Sequence, residues 1–404
     1  MNILFLTLLD FQTLDESGIY TDLMREFVKK KKHNVYIISP SERRNQQSTE
    51  LIKNDGYSIL KLKIGNIQKT NLIEKGFSTI TLESKFKWGI KTFFSDVKFD
   101  LIMYTTPPIT LQNAIEYVKK RDNAKTYLLL KDIFPQNAVD LEMMDKTGIK
   151  SVVYKYFRKK EKMLYQTSDY IGCMSEANVE FVLKHNPLLS VNKVEVCPNS
   201  IEPVSIVKNE QKIADTRQKY NIPINSTVYI YGGNLGKPQG INFIIECLKA
   251  NKNNENVYFV IVGSGTEYRK LKSFFDDEKL PNAQLFYQLS KNDYEELANS
   301  CDVGLIFLDY RFTIPNFPSR LLSYMQASLP VFAITDKNTD IGKVIEQGNF
   351  GYWSESNSVI AFNETIKKFY DQELRNQMGA NAREYLEKNY NVKQSYEIIM
   401  SHFK

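Results

Sequence analysis

Short apolar runs alternate with amphipathic stretches along the whole chain. NILFLTLLD (2–10), NVYIISP (34–40), DLIMYTT (100–106), AKTYLLLKD (124–132), DYIGCMS (169–175) and VEVCPNS (194–200) read as strands. IYTDLMREFVKKK (19–31) and LQNAIEYVKKR (111–121) read as helices between them. Strand and helix in alternation predict a parallel, doubly wound sheet. After PNSIEP (198–203) the chain turns polar, and the pattern then restarts with TVYIYGG, VYFVIVG, AQLFYQ, VGLIFLD, PVFAIT and GYWSE from Thr227 onward. The restart predicts a second α/β domain. The expected division is 1–203, 204–384 and a closing segment 385–404, in which NVKQSYEIIMSHF crosses back to the first domain.

Length agrees with this reading, since 404 residues are too many for one ordinary core. No stretch approaches the ~20 apolar residues of a spanning helix. The opening MNILFLTLLD lacks a basic leader and a small-residue cleavage site, so it is expected to be a buried first strand. Cys173, Cys197, Cys247 and Cys301 are scattered without a CxxC pair, and His33, His185 and His402 stand apart from one another. That pattern points to reduced thiols in a cytoplasm and to no metal site.

Charge is unevenly spread. Residues 1–200 carry 30 Lys+Arg against 23 Asp+Glu, whereas 201–404 carry 23 against 24. Two segments of the first half mix basic and aromatic residues, KFKWGIKTFFSDVK (85–98) and KSVVYKYFRKKEKMLY (150–165). On a helix Phe86, Ile90, Phe93, Phe94 and Val97 share one side, ringed by Lys85, Lys87, Lys91 and Lys98. Such a helix either lies on an anionic membrane surface or buries its apolar side in the core and solvates the basic one. Nucleic acid is not expected, because no recognition module accompanies the charge.

Candidate chemistry collects at the carboxyl ends of the second-half strands, where doubly wound sheets bind ligands. GGNLGKPQG (232–240) and VGSG (262–265) each follow a strand, and PSRLLSYMQASLPV (318–331) begins a helix. Neither glycine loop has the spacing of a dinucleotide fingerprint or a P-loop. Taken singly they are tight turns; taken together they line one sheet edge. At the helix start Ser319 is the expected cap, with Leu321, Leu322 and Met325 facing inward. Arg320 places a cation where the helix dipole is already positive, so it either extends into solvent or meets an anion. A diphosphate between Lys237, Arg320 and free helix amides satisfies all three pieces.

PNSIE (198–202), GGNLGKPQGI, VGSGTEYRKL, ANSCDVGLIFL and PSRLLSYMQASLPV, in this order, resemble the nucleotide-sugar domain of retaining glycosyltransferases of family 4. In the first half KDIFPQ (131–136) and ESGIYTDLMREF (16–27) resemble the segments that meet the transferred sugar and close over the donor diphosphate. The closest pattern is the bacterial subgroup that builds capsule and O-antigen repeat units, including the fucosamine transferases. The resemblance implies a GT-B fold, α/β with two Rossmann-like doubly wound domains facing a cleft, the first binding acceptor and the second the nucleotide sugar. It implies reaction at Asp132, Lys131, Lys237 and Arg320. It places Gly18, Gly233, Asn234, Gly263, Ser319, Leu321 and Ser323 around the donor, with backbone near Tyr287 and Gln288 reading the base.

Departures from the family pattern are specific. Asn234 and Gln239 stand where an Arg and a Lys are usual, and Pro315 and Ser323 stand where a pair of glutamates is usual. The second of those glutamates holds the donor ribose. Asp132 is either an N-terminal helix cap or the group that orients the acceptor hydroxyl or the transferred sugar. The implied reaction moves a sugar, an N-acetylated deoxyhexose such as N-acetylfucosamine, from UDP to a lipid-linked (polyprenyl diphosphate) saccharide, with retention and without metal or cofactor. The implied place is the inner face of the cell membrane. A catalytically silent partner subunit, a nonhydrolysing UDP-sugar epimerase and a two-domain sugar-binding protein are the competing readings.

Overall fold

The structure, a computed structural model, describes residues 1–30, 33–66, 72–148, 151–206 and 209–403, with residues 72–80 described by backbone alone. The chain forms two compact units, Met1–Glu202 with Val392–Lys404, and Pro203–Asn391.

The first unit is built on strands β1 (Asn2–Leu6), β2 (Asn34–Glu42), β3 (Glu50–Asn54), β4 (Tyr57–Ile64), β5 (Leu101–Thr105), β6 (Lys125–Leu130), β7 (Tyr170–Cys173) and β8 (Val194–Val196). They lie in the order β3-β4-β2-β1-β5-β6-β7-β8. All neighbours are parallel except β3, which runs antiparallel to β4 at the edge. Central strands such as Leu101–Thr105 are buried along their whole length, as expected of a parallel sheet with helices on both faces. The β3–β4 hairpin was missed by the strand reading, although Asp55-Gly56 marks its turn and Gly56 has a φ of 76°.

Helix Leu72–Phe93 corrects the membrane expectation for 85–98. Phe86, Ile90 and Phe94 are fully buried. The helix lies so close to β4 that a methyl on Gly89 would come 3.1 Å from Leu60 Cδ2. The apolar side therefore belongs to the core, and the helix ends at Phe93, before Val97. Trp88 remains half exposed, edge-on to Phe93. Helix Ser151–Thr167 is different: it buries Leu164 and Tyr165 but exposes Val152, Val153 and Tyr156. Lys150 lies outside the described residues.

The second unit is a six-stranded parallel sheet of β9 (Thr227–Asn234), β10 (Val257–Ser264), β11 (Ala283–Phe286), β12 (Val303–Phe307), β13 (Val331–Thr335) and β14 (Gly351–Glu355). The order is β11-β10-β9-β12-β13-β14, so the winding reverses between β9 and β12. That reversal is the switch point at which such sheets open a crevice. One face packs Tyr229, Phe259, Phe332 and Phe362 into a single apolar cluster. Helix Gln372–Asn389 closes this unit, burying Leu386. The segment that belongs to the first unit therefore begins at Val392, not at 385. Its helix Val392–Met400 packs on helix Ile19–Lys29 through Tyr396, whose ring meets Phe27 edge-on at 4.8 Å. All four cysteines are buried free thiols.

Candidate active site

At the switch point β9 and β12 pair only through Val303↔Tyr229 and Gly304↔Ile230. Beyond that the strands part, and Tyr324 fills the gap. Its ring lies on Gly304, where a methyl would come 2.3 Å from it. Its hydroxyl is 3.1 Å from Ile230 O and 2.9 Å from Leu305 O, and accepts from Gly232 N–H at 3.3 Å. Tyr324 thus props open the crevice from below.

The two glycine turns sit side by side, in register at Gly233↔Gly263 and Asn234↔Ser264. A methyl on Gly263 would lie 2.0 Å from Gly233 O, so that glycine is demanded by the neighbouring strand alone. Gly233 is different. Its φ is 154°, and a methyl there would come 3.1 Å from Arg320 Nη2. A guanidinium thus lies beside the backbone at this turn. Arg320 in turn rests over the face of Tyr294, 5.2 Å from the ring centroid. Tyr231 and Tyr324 also surround it, and no carboxylate pairs with it among the described residues. Arg320 does not extend freely into solvent, which removes one of the two readings of this cation.

Ser319 occupies the cap position, but its side chain makes no capping hydrogen bond, and its φ of −64° and ψ of −12° are already helical. Pro318 starts the turn instead, its carbonyl accepting from Leu321 N–H at 3.2 Å. Leu321 is fully buried, facing inward as its helical spacing predicts, and its amide donates to Pro318 O. Ser323 is exposed.

The loop after β9 is closed on itself. Tyr231 donates to Asn234 O at 2.6 Å, Asn234 Nδ2 donates to Gln239 Oε1 at 2.8 Å, and Gly236 N–H donates to the same oxygen at 3.1 Å. The two positions where the family resemblance expects cations thus bond each other. Asp309 N–H donates to Pro238 O at 2.9 Å, which pins the loop to the end of β12. Lys237 stands exposed on this loop. Tyr287 and Gln288 follow β11, both exposed, with Tyr287 edge-on to Tyr268 at 4.9 Å.

Gly18, Lys131 and Asp132 lie in the first unit. Gly18 precedes helix Ile19–Lys29, and its N–H donates to Asp22 Oδ1 at 3.1 Å. Arg25 holds the preceding loop by donating to Leu14 O and Glu16 O, the latter at 2.8 Å. Ser39 and Lys61 hold its start at Phe11, whose N–H donates to Ser39 Oγ at 2.7 Å and whose carbonyl accepts from Lys61 Nζ at 2.7 Å. Sequence reasoning missed all three of these tethers.

Lys131 and Asp132 follow β6. Lys131 turns away from Asp132 and donates to Cys197 O at 2.8 Å; burial lowers its ammonium to a pKa of about 8. Asp132 is not the cap of helix Gln136–Asp140, a position held by Pro135. Its Oδ1 accepts from Asn137 Nδ2 at 2.9 Å. Burial pushes its carboxyl up to about 6, against the opposing pull of that bond and of the Ile133 amide. Such a carboxyl is ionised at neutral pH yet still basic enough to accept from a reacting hydroxyl.

Comparison with known proteins places this geometry. Residues 212–385 match the sequence family described as "Glycosyl transferases group 1". Over 334 residues, 81% of this chain and 80% of the relative, the sequence is 23% identical to "Probable glycosyltransferase WbjE" of Pseudomonas aeruginosa. Among solved structures, a sucrose-phosphate synthase from Thermosynechococcus elongatus aligns over 100% of this chain and 99% of its own, with a TM-score of 0.75 at 15% identity. Anabaena HepE, solved in complex with UDP, aligns over 100% and 99% with a TM-score of 0.68 at 14% identity. The similarity to glycosyl transferases group 1 thus lies in residues 212–385, within a chain of two Rossmann-like units that has the GT-B fold.

Proposed function

We propose that this protein is a retaining, family 4 glycosyltransferase of bacterial surface-polysaccharide synthesis, moving a sugar from a UDP-sugar to a lipid-linked saccharide. The observation that carries the reading is Arg320: a guanidinium set beside the backbone of Gly233 at the switch point, with no carboxylate among the described residues to neutralise it. A departing nucleoside diphosphate supplies the missing negative charge, and fixed cations stabilise it as the bond to the anomeric carbon breaks. Arg320 is the principal cation and Lys237 the second, so the reaction runs on protein charge rather than on a metal. Within the second unit, backbone at Tyr287 and Gln288 meets the base.

The relative WbjE and the UDP complex of HepE support a nucleotide-sugar donor. An N-acetylated deoxyhexose is the sugar suggested by the subgroup resemblance. Retention follows the same reading, with an oxygen of the departing phosphate taking the proton of the acceptor hydroxyl and Asp132 orienting that hydroxyl or the transferred sugar.

A lipid-linked acceptor brings the enzyme to a membrane. No helix among the described residues is long and apolar enough to cross one. Helix Ser151–Thr167 offers a surface attachment instead, its exposed Val152, Val153 and Tyr156 standing among exposed Lys155, Lys159 and Lys162. Lysines near an anionic surface contribute about 1 kcal/mol each, and the exposed side chains add apolar insertion. The inner face of the cell membrane is the proposed location.

Release of UDP from UDP-N-acetyl sugars, with and without polyprenyl-diphosphate saccharide, tests the function. Acceptor-dependent release is expected. Binding of UDP without release under any condition would identify a silent partner subunit, the reading favoured by Pro315 and Ser323. Acceptor-independent release with formation of an epimer would identify an epimerase.

A further inference from the structure

The turn that carries Asp132 is held by two side chains outside it. Thr106, just past β5, accepts at its Oγ1 from the amides of both Lys131, at 3.0 Å, and Asp132, at 3.3 Å. Its own amide donates to Leu129 O at 3.2 Å, so a single residue ties the ends of β5 and β6 together. Asn137, in the first turn of helix Gln136–Asp140, then reaches back with its Nδ2 to Asp132 Oδ1. The other end of that amide, Asn137 Oδ1, is buried without a hydrogen-bond partner among the described residues.

A buried amide oxygen left unpaired is a standing cost to the fold. An aliphatic side chain of similar size would remove it. Among the described residues the side-chain amide bonds to Asp132 alone, which suggests that the cost is retained for that contact.

We propose that Asn137 is a positioning residue for Asp132, holding its carboxylate in one orientation and in the charged form while Thr106 fixes the backbone beneath it. This rests on Asp132 acting in the transfer reaction. The other charged groups nearby are directed elsewhere: Lys131 Nζ to Cys197 O, and Asp140 Oδ1 to Gln136 Nε2 at 2.7 Å. The N–H of Asn137 is thus the side-chain donor that opposes the effect of burial on Asp132.

The test compares wild type with Asn137→Ala, Asn137→Ser and Thr106→Val. Carbon-13 titration of the Asp132 carboxyl in the free protein should move up by about one pH unit in Asn137→Ala, the size of one charge-assisted hydrogen bond. The acid limb of the rate–pH profile should move with it, and kcat should fall while UDP affinity stays unchanged. Asn137→Ser covers the case in which the alanine variant fails to fold and should shift both curves in the same direction. Thr106→Val should lower kcat without moving either curve. If the titration moves and the rate limb stays, or if neither moves, Asn137 is structural and the inference is wrong. If Asp132→Asn keeps full transfer activity, the role of Asp132 itself fails, a separate result.

Discussion

Arg320 and Tyr294 form a cation–π pair, the guanidinium carbon 5.2 Å from the ring centroid. Tyr294 in turn lies where Gly232 has no side chain; a methyl there would come 2.2 Å from its Oη. The pair explains how a cation persists at a helix start whose dipole opposes it by at most about 1 kcal/mol. A cation–π contact contributes about 0.5–2 kcal/mol, enough to offset that term before any ligand arrives.

Tyr294 should therefore matter through its ring. Tyr294→Phe is expected to bind UDP as wild type does, whereas Tyr294→Ala lets Arg320 swing and should weaken binding by about tenfold. Calorimetric titration of both variants measures this. Equal affinities in all three proteins would mean that the ring does not orient the arginine.

Asp132 should cost the free protein stability. Its folded pKa of about 6 exceeds the ordinary 3.8, so the folded carboxyl holds its proton more tightly than the unfolded one. The stability this gives is fully present below pH 4 and is lost as pH rises through 6. Asp132→Asn is expected to raise the unfolding free energy from urea titration at pH 7, by up to about 3 kcal/mol, and to leave it unchanged at pH 3.5. Transfer activity should fall in the same variant. A stability difference that does not depend on pH would contradict the account.

Much of the fold was legible because parallel strands buried on both faces leave unbroken apolar runs, and Val303–Phe307 is such a run. The 85–98 helix was not, since Phe86, Ile90 and Phe94 repeat at the same spacing whether they face a core or a lipid. Periodicity carries no information about what covers a face. At the candidate site, Arg320 stood out because its charge breaks a local rule. Tyr294 and Tyr324 did not, because an aromatic residue at helical spacing reads as core. Leu321 faces inward and Ser319 holds the cap position, as their spacing predicts; the missing capping bond could not be read from sequence, because it depends on the already helical backbone at Ser319.

The helix Ser151–Thr167 gives the membrane proposal a sharper form. Lys155→Glu with Lys159→Glu reverses two charges and should remove sedimentation with vesicles rich in anionic lipid, while Val152→Ser with Tyr156→Ser should weaken it at any lipid charge. UDP affinity should be untouched in both. Sedimentation equal to wild type in both double variants would leave this helix without a membrane role.

The most direct measurement is calorimetric titration of UDP into wild type, Arg320→Ala, Lys237→Ala and the double variant, alongside their thermal unfolding. The account predicts at least about a tenfold loss of affinity in Arg320→Ala, with a melting temperature close to wild type because the cation–π and dipole terms offset each other. Lys237→Ala should lose affinity in the same direction, and the double variant should lose less than the sum if both cations hold one diphosphate. UDP binding unchanged in Arg320→Ala would show that the arginine is structural and that no diphosphate lies against Gly233.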